Sequence, residues 1–326
     1  MVSPHEARGI DLMGGLVTSL RAVASYWPPR IRPVSHYLRQ QGFSGFRIKV
    51  YEKCFGFSEV REAWQTDPAQ QLLCAVEQLE GLRGNEHRVR YVLQARAMPT
   101  ATPHPVSTVH EVRRALGLDH AAAFCVNSHG CASGLLAVDL AGRLLAADGD
   151  EDALALIVTG EKVFTAVNRV VPDVGVMGEC AAALLVGLNG PHDRMLSYAS
   201  ETRSEFEDVM TLSAETEAVL QQTYPVVLVS VILAAVGEAG LVMDDIDLIL
   251  PHNINRMSWL PAVKRLGISM DRVYTPTISL VGHCFGADTF LNYLAAREHG
   301  RLQRGMRYVM TAVGDAETFS AMVFEH

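Results

Sequence analysis

The order strand, helix, strand, helix, strand occurs twice in this 326-residue chain, with similar spacings. No other feature constrains the fold as much. In the first copy VRYVLQARA, from Val89, reads as a buried strand, VSTVHEVRRALGL as a helix and AAAFCV as a second strand. HGCASGLLAVDLAGRLLAADG follows as a helix opened by small residues, and DALALIVTGE as a third strand. In the second copy IDLILPHNI is a strand, SWLPAVKRLGI a helix and VYTPTIS a short extended piece. GHCFGADTFLNYLAAREHG is again a helix opened by small residues, and RYVMTAVGD a strand. Helices after buried β-rich runs predict an α/β fold with mostly parallel sheets covered on both faces.

Superposing the copies sets the start of the Cys131 helix opposite the His283–Cys284 turn, near a pseudo-twofold axis. The charged, polar region from Pro191 to Thr223 is the expected boundary, dividing the chain into halves 1–190 and 191–326. The first 85 residues carry less pattern. WPPRIRP, from Trp27, must be loop or extended because its prolines forbid a continuous helix. DPAQQLLCAVEQLEGLRG predicts a helix with Asp67 as N-cap, Pro68 in the first turn and Gly81 or Gly84 near its end.

A net charge of −8 argues against general nucleic-acid or membrane-surface binding. The six cysteines lie in apolar segments without a CxxC pair, which predicts free thiols in a reducing cytoplasm. MVSPHEARGIDLMGG is too charged for a secretory leader, and the longest apolar run, PVVLVSVILAAV from Pro225, is too short to span a bilayer.

FCVNSHGCASGLL, from Phe124, carries the chemical question. Cys131 has three readings there: a packed core thiol, a metal ligand, or a nucleophile. Cysteine is often buried, and the helix that follows is apolar. A metal set of Cys125, His129 and Cys131, with His283 and Cys284 as further members, lacks the short paired spacing zinc prefers, so no metal is expected. A cysteine at a helix N-terminus feels unpaired N–H groups and the positive end of the macrodipole, which favour thiolate. Small residues at Gly130, Ala132, Ser133 and Gly134 leave a substrate room to reach the sulfur. His252, at the end of LILPHNIN, and His283, in VGHCFGAD, supply imidazoles at matching ends of the repeat. The nucleophile is the reading these residues support together.

FCVNSHGCASG, MGECAAALLVG, DDIDLILPHNINRM and YVMTAVGDAETFSAMVF together resemble a thiolase-fold condensing enzyme. The resemblance is to the β-ketoacyl-[acyl carrier protein] synthase III group and its secondary-metabolism relatives, from about Val89 onward. It implies two duplicated halves in five layers, α-β-α-β-α, and a homodimer. It implies that Cys131 takes an acyl group from a thioester and that His252 hydrogen-bonds a thioester carbonyl or enolate oxygen. Asn255 would support that loop, in a structural or a catalytic role. His283 falls where the type III group has asparagine, giving a Cys-His-His set. The group's triple-glycine turn appears as Gly314-Asp315-Ala316, whose backbone N–H groups would share an oxyanion hole with Cys131.

No cofactor is implied, because acyl-CoA or the phosphopantetheine of an acyl carrier protein is the substrate. Arg256, Lys264 and Arg265 form either a basic entrance for an acidic carrier protein or an ordinary solvated helix face. Two reactions follow from the resemblance. The leading one condenses acyl-Cys131 with a malonyl-type thioester with loss of CO2; the alternative moves the acyl group to a hydroxyl, amine or carrier thiol without that loss.

Overall fold

The computed structural model describes residues 15–98, 105–206, 213–315 and 317–326. Its strands are β1 (Thr18–Tyr26), β2 (Arg30–Pro33), β3 (Glu59–Glu62), β4 (Val89–Ala95), β5 (Ala122–Val126), β6 (Leu154–Gly160), β7 (Val170–Val171), β8 (Gly175–Val176), β9 (Ala181–Leu188), β10 (Arg194–Thr202), β11 (Leu248–Pro251), β12 (Arg307–Gly314) and β13 (Thr318–Glu325). The α-helices are α1 (Val34–Gln40), α2 (Gly45–Val50), α3 (Pro68–Val76), α4 (Thr108–Ala115), α5 (Ser133–Asp148), α6 (Ala166–Arg169), α7 (Ala214–Glu238), α8 (Trp259–Leu266), α9 (Ile278–Val281) and α10 (Asp288–Glu298).

Nine strands form one hydrogen-bonded sheet in the order β11-β12-β13-β10-β1-β9-β6-β4-β5. Read outward from the β1–β10 seam, its two arms are alike. β1 pairs antiparallel with β9, β9 antiparallel with β6, and β6, β4 and β5 run parallel. β10 pairs antiparallel with β13, β13 antiparallel with β12, and β12 runs parallel to β11. A parallel bridge from Ile249 to Val273 stands where β5 stands in the other arm. The repeat is therefore longer than the sequence predicts, and it begins with strands β1 and β10, which the pattern does not reveal. The sheets are also mixed rather than mostly parallel. β13 returns directly along β12 by a short connection, which makes an antiparallel pair, whereas β9 returns along β6 only after the segment that carries α6, β7 and β8. The polar region 191–223 supplies β10 and the start of α7.

Alternation along the strands shows the layers. Leu93, Ala155 and Ile157 from one arm, and Leu250, Met310 and Met322 from the other, share one core with α5 and α10. Val92, Leu156 and Val158 face α3 and α4 instead. Ile249, Val309 and Val323 face α7 and α8. The order is helix, sheet, helix, sheet, helix, with α5 and α10 in the middle. Both helices lack the polar face of a surface helix because strands cover them on two sides.

The apolar run at Pro225 belongs to a 25-residue helix, α7, which by length and composition alone is long enough to cross a membrane. Here Val227, Leu228, Val231, Ile232, Ala235 and Val236 pack it onto the β10–β13 arm. α3 begins as expected, with the Asp67 carboxylate accepting the Gln70 N–H at 2.8 Å. It ends at Val76, so Gly81 and Gly84 lie in the turns beyond, both with positive φ.

Candidate active site

Cys131 sits in a 3-10 turn, Gly130–Ala132, that leads into α5, and is 8% exposed. The equivalent turn of the second half is Phe285–Ala287, leading into α10. Gly130 and Phe285 open the two turns with φ of 50° and 54°, so Gly286 is the counterpart of Cys131. The turns abut at the centre. A Cβ on Gly134 would lie 2.8 Å from the Gly286 carbonyl oxygen, so the small residues after Cys131 serve helix approach as well as substrate access.

This contact brings the cysteine of one half to the imidazole of the other. Cys131 Sγ lies 3.5 Å from His283 Nε2. The His283 backbone is held from both sides, its N–H donating to Val176 O at 2.9 Å and its carbonyl accepting the Gly178 N–H at 2.8 Å. Gly178 and Gly282 permit the approach; a Cβ on either would fall within 2.3 Å of a backbone oxygen. His283 Nδ1 is hydrogen-bonded to Asp288 Oδ2. Asp288, 1% exposed in the first turn of α10, also accepts the N–H groups of Asn253 at 2.6 Å and Cys284 at 2.7 Å. An acceptor-only carboxylate on Nδ1 fixes the tautomer that presents the Nε2 lone pair to sulfur. The result is a thiol–imidazole–carboxylate relay.

Asp288 was not singled out in the sequence, although it ends the segment GHCFGAD. Its signal is an acidic residue in the first turn of the helix that His283 opens, where it can reach back to the preceding turn.

His252 lies beside this relay, its ring centroid 6.2 Å from that of His283, and 2% exposed. Its N–H donates to Thr311 O at 2.9 Å, and its Nε2 meets the hydroxyl of Tyr224 on α7 at 2.9 Å. Burial, and then the neighbouring His283, push its pKa down to about 3, so the ring is neutral at physiological pH. Burial raises the Tyr224 phenol, with Cys131 adding to the shift, and keeps it protonated. Nothing in the sequence marks Tyr224, which lies on a helix far from either motif.

The Cys131 thiol departs from expectation. The helix end predicts a thiolate, but burial, followed by Asp315, Glu161 and Asp288, pushes the pKa well above the ordinary thiol value. Burial, with three carboxyl groups added, outweighs the partial charge of a turn. The resting group is therefore a thiol, with His283 Nε2 the nearby imidazole nitrogen. Glu161, just past β6, accepts the N–H groups of Ala97 at 3.2 Å and Met98 at 3.0 Å, and burial raises its pKa to about 7.

Gly314 ends β12 against the Cys131 loop, where a Cβ would lie 1.9 Å from the His129 carbonyl oxygen. It permits that approach. Ala316 lies outside the described residues. The side chain of Asn255 accepts the Ser258 N–H at 3.0 Å and donates to Asp173 O at 2.6 Å, which ties the His252 loop to the segment before β8. Arg256 is spent structurally, donating to the carbonyls of Lys53 and Cys54 at 2.9 and 3.2 Å. Lys264 and Arg265 are exposed in the last turn of α8.

Comparisons agree with this architecture. Residues 236–326, which carry His252, His283 and Asp288, match the family model for the C-terminal part of 3-oxoacyl-[acyl-carrier-protein] synthase III. The β-ketoacyl-[acyl-carrier-protein] synthase III of Clostridium acetobutylicum is 32% identical over 99 residues, 30% of each chain. That of Sinorhizobium medicae is 34% identical over 93 residues, 28% of each. The matched segment thus spans under a third of these curated relatives. In three dimensions the similarity extends over nearly the whole chain. The acyltransferase ChlB3 superposes with a TM-score of 0.81 at 19% identity, covering 95% of this chain and 97% of its own. The synthase III of Thermus thermophilus gives 0.77 at 21% identity, covering 94% and 99%. Cerulenin-bound OleA of Xanthomonas campestris gives 0.79 at 18% identity, covering 95% and 99%.

Proposed function

We propose that this chain, which has the thiolase fold and is β-ketoacyl synthase III-like, is an acyltransferase working through a covalent acyl-Cys131. The observation that carries the reading is the Cys131–His283–Asp288 relay. His283 Nε2 takes the thiol proton as sulfur attacks a thioester carbonyl. The carbon–sulfur bond to the donor then breaks, and the departing thiolate receives that proton. Asp288 stabilises the imidazolium formed between these events.

In the second half-reaction the same base serves an acceptor. With its Nδ1–H committed to Asp288, His283 presents the Nε2 lone pair rather than a donor, which suits deprotonation of a hydroxyl, amine or carrier thiol. Transfer without loss of CO2 is therefore the reaction this geometry supports best. Decarboxylative condensation with a malonyl-type thioester is the second reading, supported by the synthase III match over the segment holding both histidines. The donor is proposed to be an acyl-CoA or an acyl carrier protein, in polyketide- or fatty-acid-type secondary metabolism in the cytoplasm. The exposed Ala122 and Cys125 of edge strand β5 support pairing with a second copy.

The test is intact-mass measurement after incubation with a panel of acyl-CoA and acyl-carrier thioesters. Wild type should gain the acyl mass, and Cys131→Ala should not. Labelling that persists in Cys131→Ala would overturn the assignment. Adding malonyl-carrier protein and following CO2 separates the two readings: turnover without CO2 supports transfer, and CO2 release with chain extension supports condensation.

A further inference from the structure

His252 enters the site with its Nε2 already engaged. The Tyr224 hydroxyl lies 2.9 Å away, while the buried Nδ1 has no partner among the described residues. Both tautomers leave Nε2 committed: protonated, it donates to the phenol oxygen; unprotonated, it accepts the phenol O–H. Tyr224 is held in place from two directions. Its ring packs on Phe319 with centroids 5.3 Å apart, and the next residue, Pro225, is buried inside α7.

Decarboxylation needs a donor where this bond now sits. When a malonyl thioester loses CO2, the carbon–carbon bond breaks and its electron pair moves onto the thioester oxygen as an enolate. Without an acyl group to capture it, the carbon then takes a proton from water. A neutral imidazole N–H aimed at that oxygen lowers the barrier. His283 does not supply it while its Nδ1 proton points to Asp288.

We propose that Tyr224 determines specificity: by occupying His252 Nε2 it withholds the hydrogen bond a malonyl-type enolate requires, and so biases the site toward handing the acyl group to an oxygen, nitrogen or sulfur nucleophile. The inference rests on the acyl-Cys131 reading above. Tyr224 acts through His252 and is a positioning residue.

The experiment compares wild type with Tyr224→Phe, using malonyl-CoA labelled in the free carboxyl group and measuring CO2 release. Phenylalanine keeps the ring against Phe319 and frees Nε2, so release should rise about tenfold, the effect of about 1.4 kcal/mol at the barrier. Tyr224→Leu serves if the first variant melts early. Adding His252→Ala to the freed variant should return CO2 release to the wild-type rate. A folded Tyr224 variant that releases CO2 at the wild-type rate overturns the proposal, as does a gain that survives loss of His252. Decarboxylation requires no acyl-Cys131, so its outcome is independent of the loading reaction. Wild type that takes no acyl mass on Cys131 refutes the transferase reading instead.

Discussion

Replacing Asp288 with asparagine tests the relay at its most constrained point. Oδ1 accepts the Cys284 N–H, and Oδ2 accepts both the Asn253 N–H and His283 Nδ1–H. Asparagine has one carbonyl oxygen for these three donors. With that oxygen toward Cys284, the amide NH2 faces two N–H groups; in the flipped orientation it faces the Cys284 N–H. The relief open to His283 is a change of tautomer, which puts a proton on Nε2 and removes the base facing Cys131. Losing the correct tautomer in a comparable serine relay costs about 10⁴ in rate, and the rate of Cys131 acylation should fall by about 10³ to 10⁴. That corresponds to roughly 4–5.5 kcal/mol at the barrier. The lost charge-assisted bonds should also lower stability by about 1.5–3 kcal/mol. Rapid-quench acylation followed by intact mass measures the first effect, and urea denaturation the second. A variant that acylates within threefold of wild type, at unchanged stability, would refute the claim that Asp288 sets the tautomer of His283.

Other perturbations test the surroundings. Gly130→Ala places a methyl 2.6 Å from Asp315 Oδ2 and 3.0 Å from Gly314 Cα at a φ of 50°, so it should cost about 1–3 kcal/mol in thermal melting. Glu161→Gln probes the pH profile. The folded pKa of about 7 lies above the ordinary carboxyl value of 4.5, so the folded state holds the extra proton between them, and stability falls as pH rises from about 4.5 to 7. The ionised carboxylate also opposes thiolate at Cys131, so wild-type acylation should show a falling limb near pH 7 that the glutamine variant lacks; superimposable wild-type and variant profiles would refute this. Lys264→Glu with Arg265→Glu should raise KM for a carrier-protein donor and spare small thioester mimics, whereas equal effects on both would remove the entrance.

What the sequence reveals and what it hides follow from physical range. The repeat is legible from Val89 because strands buried on both faces write continuous apolar runs. β1, TSLRAVASY, mixes polar and apolar residues, and its partner β9 is distant in sequence, so nothing local announces it. Cys131, His252 and His283 stand at strand or helix ends that local pattern locates. Their protonation does not belong to local pattern. The raised thiol comes first from burial and then from Asp315, Glu161 and Asp288, which only the fold gathers around Cys131. Tyr224 is hidden for the same reason, since its partner His252 sits 28 positions away. Arg256 reads as a solvent-facing cation and is instead bonded to two carbonyls more than 200 positions upstream.

The seam between β1 and β10 is recorded by a single register pair, Ser19 with Arg194, whereas β1 and β9 share eight. Cys131 belongs to one side of that seam, and His252, His283 and Asp288 to the other. The sulfur-to-imidazole gap thus spans the two arms, set where the Cys131 and Phe285 turns abut and where Val176 and Gly178 hold the His283 backbone. Near-attack geometry tolerates little slack. Warming should therefore loosen the working distance before either arm melts, with activity declining several degrees below the unfolding transition.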